Sequence, residues 1–169
     1  MIVAIVGLGV RGSICAGLLA GAGVEELSLV DGGFVEPSDV GRHPLQFTPD
    51  VNASKSDALV AKLGLLNPAI HAQPFPADLS EENASAILLG ASCVVDCAGQ
   101  EDVSGWIESA AKEIGIPVIA PPAGYVSGEV TSAVAAAVGS LQADLVLALR
   151  EADGGERAAD VIRADGAAI

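Results

Sequence analysis

Three glycines and one aspartate have the types and spacing of a loop that binds phosphate and ribose. Gly7, Gly9 and Gly12 form the pattern G-x-G-x-x-G directly after the apolar run Ile2–Val6. The first glycine permits a tight turn, the second lets a phosphate approach the backbone, and the third lets a helix pack on the strand. Asp31 ends a second apolar run about 20 residues later, where a carboxylate can hold ribose hydroxyls. These residues predict a nucleotide site.

Two cations follow the aspartate within 24 residues. Arg42 lies in the irregular stretch Phe34–Asp50, and Lys55 lies near the start of the next helical pattern. Fixed cations stabilise the charge that builds on phosphate oxygens during transfer reactions. His43 is adjacent to Arg42, and two alternatives stay open for it, a ligand contact or a structural role. The glycines and Asp31 alone do not distinguish ATP from NAD.

Apolar runs of strand length alternate with helical patterns along the chain. The predicted strands are Ile2–Val6, Leu27–Val30, Ile70–Gln73, Cys93–Cys97 and Val118–Ala120. The predicted helices are Arg11–Ala22, Ala53–Leu66, a helix capped by Ser80, Val103–Ile114 and Ser132–Leu149. Two further candidate strands are Tyr125–Val130 and Asp160–Arg163. This order predicts one α/β domain, residues 1–169, with a Rossmann-like doubly wound, mainly parallel sheet and helices on both faces.

The composition argues against several classes of protein. With 51% hydrophobic and 3% aromatic residues, the core must be built from aliphatic side chains, which suits strands that are buried on both faces. A net charge of −14 argues against a nucleic acid partner, because phosphate backbone contacts need clustered Lys and Arg. The three cysteines lack the spacing of a disulfide framework or of a zinc site.

The apolar segments also bear on localisation and assembly. No signal-peptide pattern precedes Gly7, and polar residues interrupt every apolar run before it reaches the length of a bilayer span. We therefore expect a cytoplasmic protein that does not enter a membrane. The helix Ser132–Leu149 is apolar on most faces, so that either the core or a second copy in a homodimer must cover it.

Several segments match the motifs of one enzyme family. The loop VGLGVRGS, which includes Val10, is similar to G-x-G-G-L-G-S, and DVNASK resembles D-x-G-x-x-K. The segment AGVEELSLVDGGFVEPSDVGRHPLQF is similar to GV..L.LVD.D.VE.SNL.RQ, with Asp31, Arg42 and Lys55 in register. Later segments, VVDCAGQ and GSLQADLVLAL, resemble VVD.TDN and GSLQALEA.K.L. By these motifs the chain resembles the adenylating-enzyme family of ThiF, MoeB and the ubiquitin-activating E1 enzymes.

The resemblance implies a reaction and a set of site residues. In that family the C-terminal carboxylate of a carrier protein attacks the α-phosphorus of ATP, so that an acyl-adenylate forms and pyrophosphate leaves. The likeness implies that ATP, with Mg²⁺, binds at the glycine loop, that Asp31 holds the ribose, and that Arg42 and Lys55 are catalytic because they neutralise the phosphates. The nucleotide-binding residues that it implies are Gly7, Gly9, Val10, Gly12, Asp31, Arg42, Lys55 and Gly99.

The chain departs from the family pattern at three places. Gly33 stands where the family has a second acid after the second strand, and Gly99 stands where it has the Asp that assists Mg²⁺. Between Gly128 and Val138 the chain lacks the long insertion that carries a catalytic cysteine and zinc-binding C-x-x-C pairs, so we expect no zinc.

Three functions follow from these patterns. The first is a minimal ThiF-like adenylyltransferase that activates a carboxylate, such as the C-terminus of a ubiquitin-like sulfur carrier. The second is a module of the same fold that binds a nucleotide or a partner without chemistry, and the third is an NAD-dependent oxidoreductase.

Overall fold

A parallel sheet forms the centre of the computed structural model, which describes residues 1–123, 125, 131–151 and the backbone of 161–163. Its strands are β1 (Ile2–Val6), β2 (Glu26–Val30), β3 (His71–Phe75), β4 (Cys93–Asp96), β5 (Val118–Ala120) and β6 (Val161–Arg163). Their order across the sheet is β3-β2-β1-β4-β5-β6, and every neighbouring pair is parallel. The direction of winding reverses between β1 and β4, which opens a crevice at the carboxyl ends of these strands.

Helices cover both faces of the sheet, as the sequence predicts. They are α1 (Val10–Gly21), α2 (Lys55–Leu66), α3 (Ala84–Leu88), α4 (Glu101–Ile114) and α5 (Ser132–Glu151). Alternate residues of β1 point to opposite faces, so that Ile5 packs in one hydrophobic cluster and Ala4 in another. The first cluster includes residues of α1, α2 and α5, and the second includes residues of α3 and α4. The predicted Rossmann-like α/β fold is therefore confirmed.

The predicted element bounds differ from the structure mainly around the third strand. β3 runs through Pro74, which a strand tolerates here because β3 is an edge strand of the sheet. Ser80 does not cap a helix, because residues 80–83 form a turn in which the Ser80 N–H donates to Oδ1 of Asn83 at 2.8 Å. The candidate strand at Asp160–Arg163 is present as β6. The other candidate, Tyr125–Val130, lies outside the described residues apart from Tyr125.

The long helix α5 packs directly on α1 and is hydrogen-bonded to the backbone of two strands, β4 and β5. A Cβ on Gly139 would overlap the carbonyl oxygen of Arg11, so the two helices touch at backbone distance. Gln142 is fully buried, and its Nε2 donates to the carbonyls of Asp96 at 2.8 Å and of Ile119 at 3.1 Å. By length and hydropathy alone α5 could span a membrane. One face of α5 nevertheless packs in the hydrophobic core. That a second copy covers its other face in a homodimer stays a prediction.

We expect Gly139→Ala to lower the free energy of unfolding by about 1–3 kcal/mol, because the added methyl group must push α5 away from α1. Gly105→Ala is the matched control, since no atom lies within 4 Å of a Cβ at that position in α4. The control should raise stability by about 0.5–1 kcal/mol through the higher helix propensity of alanine. Urea denaturation measures both variants, and equal effects at the two positions would contradict the predicted close contact.

Candidate functional site

The glycine loop between β1 and α1 has a shape that requires glycine at two of its three positions. Gly7 has φ +88°, and a Cβ there would overlap the carbonyl oxygen of Cys97. A Cβ on Gly12 would overlap the carbonyl oxygen of Gly7. The atom nearest to a Cβ on Gly9 would be Cε1 of His43, 3.9 Å away. The first and last glycines therefore serve packing, while the space above Gly9 is open to a ligand.

Asp31 ties the end of β2 to the glycine loop. Its Oδ2 accepts a hydrogen bond of 2.6 Å from the N–H of Leu8, and its Oδ1 accepts one of 2.7 Å from the N–H of Gly33. These bonds aim the carboxylate at the crevice beside the loop. Each carboxylate oxygen has a second lone pair, so Asp31 can also accept hydrogen bonds from a hydroxyl group of a ligand.

Asp39 organises the cations of the site. Its Oδ2 lies 3.4 Å from Nζ of Lys55 and accepts a hydrogen bond of 3.0 Å from the N–H of Glu36. Its Oδ1 lies 3.2 Å from Nε2 of His43. Lys55 is the first residue of α2, which begins after Ser54. A buried carboxylate thus holds the amino group of Lys55 and the imidazole of His43 on one side of the crevice.

The environment sets the charge of two of these groups. Burial raises the pKa of Asp39, but the N–H of Glu36 and the positive charge of Lys55 lower it by more, so its pKa lies below the usual value. Burial lowers the pKa of His43 more than the nearby carboxylate of Asp39 raises it. Asp39 is therefore ionised and His43 neutral near pH 7, and His43 contributes a hydrogen-bonding imidazole and no positive charge.

Two cavities of unlike character meet at the glycine loop. The larger, about 680 Å³, is lined by the acidic side chains of Asp78, Glu101 and Asp102 and by Trp106. The smaller, about 300 Å³, is lined by the basic side chains Arg11, Arg42 and Lys55, together with His43, Gly9 and Val10. The residues that line both cavities are Gly7, Asp31 and Ala98. The crevice therefore has an acidic end and a basic end with Asp31 at the boundary.

Most of the residues that the sequence singles out come together here. Gly12 is placed under the loop, where it packs α1 on the turn. Gly99 has φ +75° and lies between Ala98 and Gln100, which line the cavities, but it does not itself line either of them. Sequence reasoning missed Arg11 and Asp39. A basic residue inside a glycine loop was a usable signal for Arg11, whereas the acidic composition hid Asp39 among 22 carboxylates.

The described residues do not provide a protein-held metal centre. Among them there is no group of three or more His, Cys, Asp or Glu side chains that could hold a metal ion, even though several carboxylates line the larger cavity.

His43 should make the protein less stable as the pH falls. Its pKa in the folded state lies below the usual value of 6.5, so the unfolded chain takes up this proton first as the pH is lowered. The stabilisation that depends on a neutral His43 is complete above pH 6.5 and is lost as the pH falls below it. The free energy of unfolding then changes by at most about 1.4 kcal/mol per pH unit. We expect His43→Gln to flatten this slope in urea denaturation between about pH 7.5 and 5.5. An equal effect of His71→Gln, which removes an exposed histidine of β3, would contradict the assignment.

Curated proteins of similar sequence are adenylyltransferases. The chain is 32% identical over 127 residues to the adenylyltransferase and sulfurtransferase UBA4 of Yarrowia lipolytica, covering 75% of this chain and 32% of that protein. It is 31% identical over 129 residues to the molybdopterin-synthase adenylyltransferase of Salmonella typhimurium, covering 76% of this chain and 52% of that protein. The chain thus spans about half or less of the length of these two relatives.

Solved structures share the fold, and a family description matches most of the chain. PaaA superposes with a TM-score of 0.76 at 23% identity, covering 94% of this chain and 58% of that one. E. coli MccB, solved with ATP, superposes with a TM-score of 0.76 at 18% identity, covering 86% of this chain and 54% of that one. The ThiF family matches residues 1–143. Since this match covers the glycine loop, the crevice and the start of α5, the chain belongs to the ThiF family.

Proposed function

We propose that the crevice binds ATP with its nucleoside in the larger cavity and its phosphates in the smaller one. The observation that carries this proposal is the position of Asp31, which lines both cavities. In ATP the ribose joins the base to the phosphates, so a ribose-binding carboxylate belongs at such a boundary. The acidic end of the crevice repels phosphate, whereas the basic end attracts it. The charge pattern therefore favours the orientation in which the phosphates of ATP lie in the smaller, basic cavity.

The smaller cavity concentrates positive charge in an acidic protein. Three of the eight Lys and Arg residues in the chain line it, namely Arg11, Arg42 and Lys55. The first turn of α1 adds backbone N–H groups and the partial positive charge of a helix N-terminus. A polyphosphate fits this donor set, and the lack of a Cβ at Gly9 leaves it room to approach the backbone. Gly7, Gly9 and Val10 line this cavity, and Gly12 would support the loop by packing α1 against it.

The chemistry we propose is adenylyl transfer to a carboxylate. A carboxylate oxygen attacks the α-phosphorus, a new O–P bond forms, the bond to the β-phosphate oxygen breaks, and pyrophosphate leaves with the electron pair. Negative charge grows on the phosphate oxygens, so Arg42 and Lys55, which line the phosphate cavity, would stabilise the transition state. Asp39 would keep the amino group of Lys55 in place, because it holds that group at 3.4 Å. The phosphate oxygens would supply ligands for Mg²⁺, which would offset part of their negative charge.

The partner we propose is a protein or peptide with a free C-terminal carboxylate, of which a ubiquitin-like sulfur carrier is one example. The names of the relatives support this class of partner, since one is an adenylyltransferase and sulfurtransferase and the other a molybdopterin-synthase adenylyltransferase. A cytoplasmic location and a homodimer are likewise proposals.

We expect removal of either cation to weaken ATP binding. Lys55→Gln and Arg42→Gln should each lower the affinity for ATP at least about tenfold, since a charge-assisted hydrogen bond contributes about 1.5–3 kcal/mol. The affinity for AMP should change less, because AMP lacks the β- and γ-phosphates. Isothermal titration calorimetry measures these affinities, with Lys112→Gln at an exposed position of α4 as the control for net charge. Equal losses in the control would contradict a local role for Arg42 and Lys55.

Exchange of pyrophosphate into ATP in the presence of a candidate carrier distinguishes catalysis from binding alone. Exchange that drops on the order of a hundredfold in the Lys55 and Arg42 variants supports adenylyl transfer. ATP binding without exchange supports the non-catalytic module, which the glycines at positions 33 and 99 favour. Binding of NADH in preference to ATP would instead support the oxidoreductase.

A further inference from the structure

Arg11 is a buried cation that has no anionic partner among the residues that the structure describes. It is 4% exposed, and neither Nη1 nor Nη2 has a hydrogen-bond partner within the described part of the chain. Its guanidinium carbon lies 4.7 Å from the centroid of the Tyr125 ring. Burying an unpaired cation costs more free energy than one cation–π contact returns. The side chain is therefore held at a net cost in the absence of a ligand.

The neighbouring groups do not neutralise this charge. Burial raises the pKa of the adjacent Cys97 thiol to about 12, although the charge of Arg11 and a side-chain hydrogen bond with Arg11 lower it, so the thiol is a neutral partner and carries no balancing charge. Asp31 accepts hydrogen bonds from two backbone N–H groups, and Asp39 pairs with Lys55. No ion pair to Arg11 occurs among the described residues. The described residues therefore leave the guanidinium of Arg11 without a balancing negative charge.

The position of Arg11 in the fold also favours an anion beside its guanidinium group. It lies in the first turn of α1, where the helix dipole disfavours a cation. Ser132, the first residue of α5, lines the same cavity, so a second helix directs its positive end there. The backbone cannot move away, because α5 packs on the Arg11 carbonyl at Gly139. Two helix ends and one buried guanidinium thus converge beside Tyr125.

We propose that Arg11 binds an oxyanion at the end of the smaller cavity that Tyr125 and the first turn of α5 line. The planar guanidinium fork matches the paired oxygens of a phosphate or a carboxylate. As a subsite of adenylyl transfer this inference rests on the proposed function. The oxyanion is then either the leaving pyrophosphate part of ATP or the acceptor carboxylate. The family loop pattern G-x-G-G-L-G-S has leucine at this position, so the cation distinguishes this chain from that pattern.

Arg11→Leu separates a ligand-binding role from a structural one. If Arg11 binds an anionic ligand, the variant without ligand should unfold at a higher urea concentration than the wild type. The variant should also bind inorganic pyrophosphate or N-acetylglycine at least tenfold more weakly. If Arg11 is structural, the variant unfolds at a lower urea concentration and keeps its affinities, which would overturn the proposal. Lys112→Leu removes one positive charge at an exposed position of α4 and also introduces leucine. This control should leave the affinities for pyrophosphate and for N-acetylglycine unchanged.

Titrations of the wild-type protein identify the source of the oxyanion and do not depend on the folding of a variant. The Arg11 side-chain N–H signal, assigned by its loss in Arg11→Lys, is followed by NMR during addition of pyrophosphate, ATP, AMP or N-acetylglycine. A shift with pyrophosphate and ATP supports the phosphate source, and a shift with N-acetylglycine supports the carboxylate source. No shift with any probe overturns the proposal. A shift with pyrophosphate but no binding of ATP refutes the proposed function and leaves the oxyanion subsite standing.

Discussion

The absence of a side chain at three glycines determines how this site is assembled. Gly7 turns the chain against the carbonyl of Cys97, and Gly12 lets α1 pack against the carbonyl of Gly7. Gly139 then lets α5 pack against the carbonyl of Arg11. Each contact joins backbone to backbone, so that even one methyl group would separate the elements. The position of α1, and with it the geometry of the crevice, depends on these contacts.

Hydrogen bonds from the buried Gln142 and the partly buried Asp31 then connect the packed elements to the strands. Gln142 reaches from α5 to the carbonyl of Asp96, which ends β4, and to the carbonyl of Ile119 within β5. Asp31 reaches from the end of β2 to the loop that follows β1. A buried amide or carboxylate is costly unless its hydrogen bonds are made, so these contacts define one arrangement of helix, loop and sheet. The glycines permit the close approach, and the polar groups make the approach specific.

The sequence predicted the parts of this structure that follow from local pattern. β1 and β5 have the predicted bounds, because short buried aliphatic runs between glycines and prolines have few alternatives. The turn before α3 could not be predicted, since it depends on whether Ser80 or Asn83 accepts the local hydrogen bond. The glycine loop and Asp31 were predicted from their spacing. The partnership of Asp39 with Lys55 was not, because it joins a loop residue to a helix 16 positions later in an acidic chain.

Two departures from the family pattern, Gly33 and Asp39, both concern the carboxylate groups around Lys55. The pattern has an acid at position 33 and Asn at 39, whereas this chain has Gly33 and Asp39. A Cβ at position 33 would lie 3.6 Å from Cδ of Lys55, and the carboxylate of Asp39 lies 3.4 Å from Nζ of the same lysine. Lys55 therefore keeps a carboxylate neighbour although position 33 has none. Compared with the family pattern, the carboxylate beside Lys55 comes from the loop and not from position 33, and Asp31 is the acidic residue that lines both cavities.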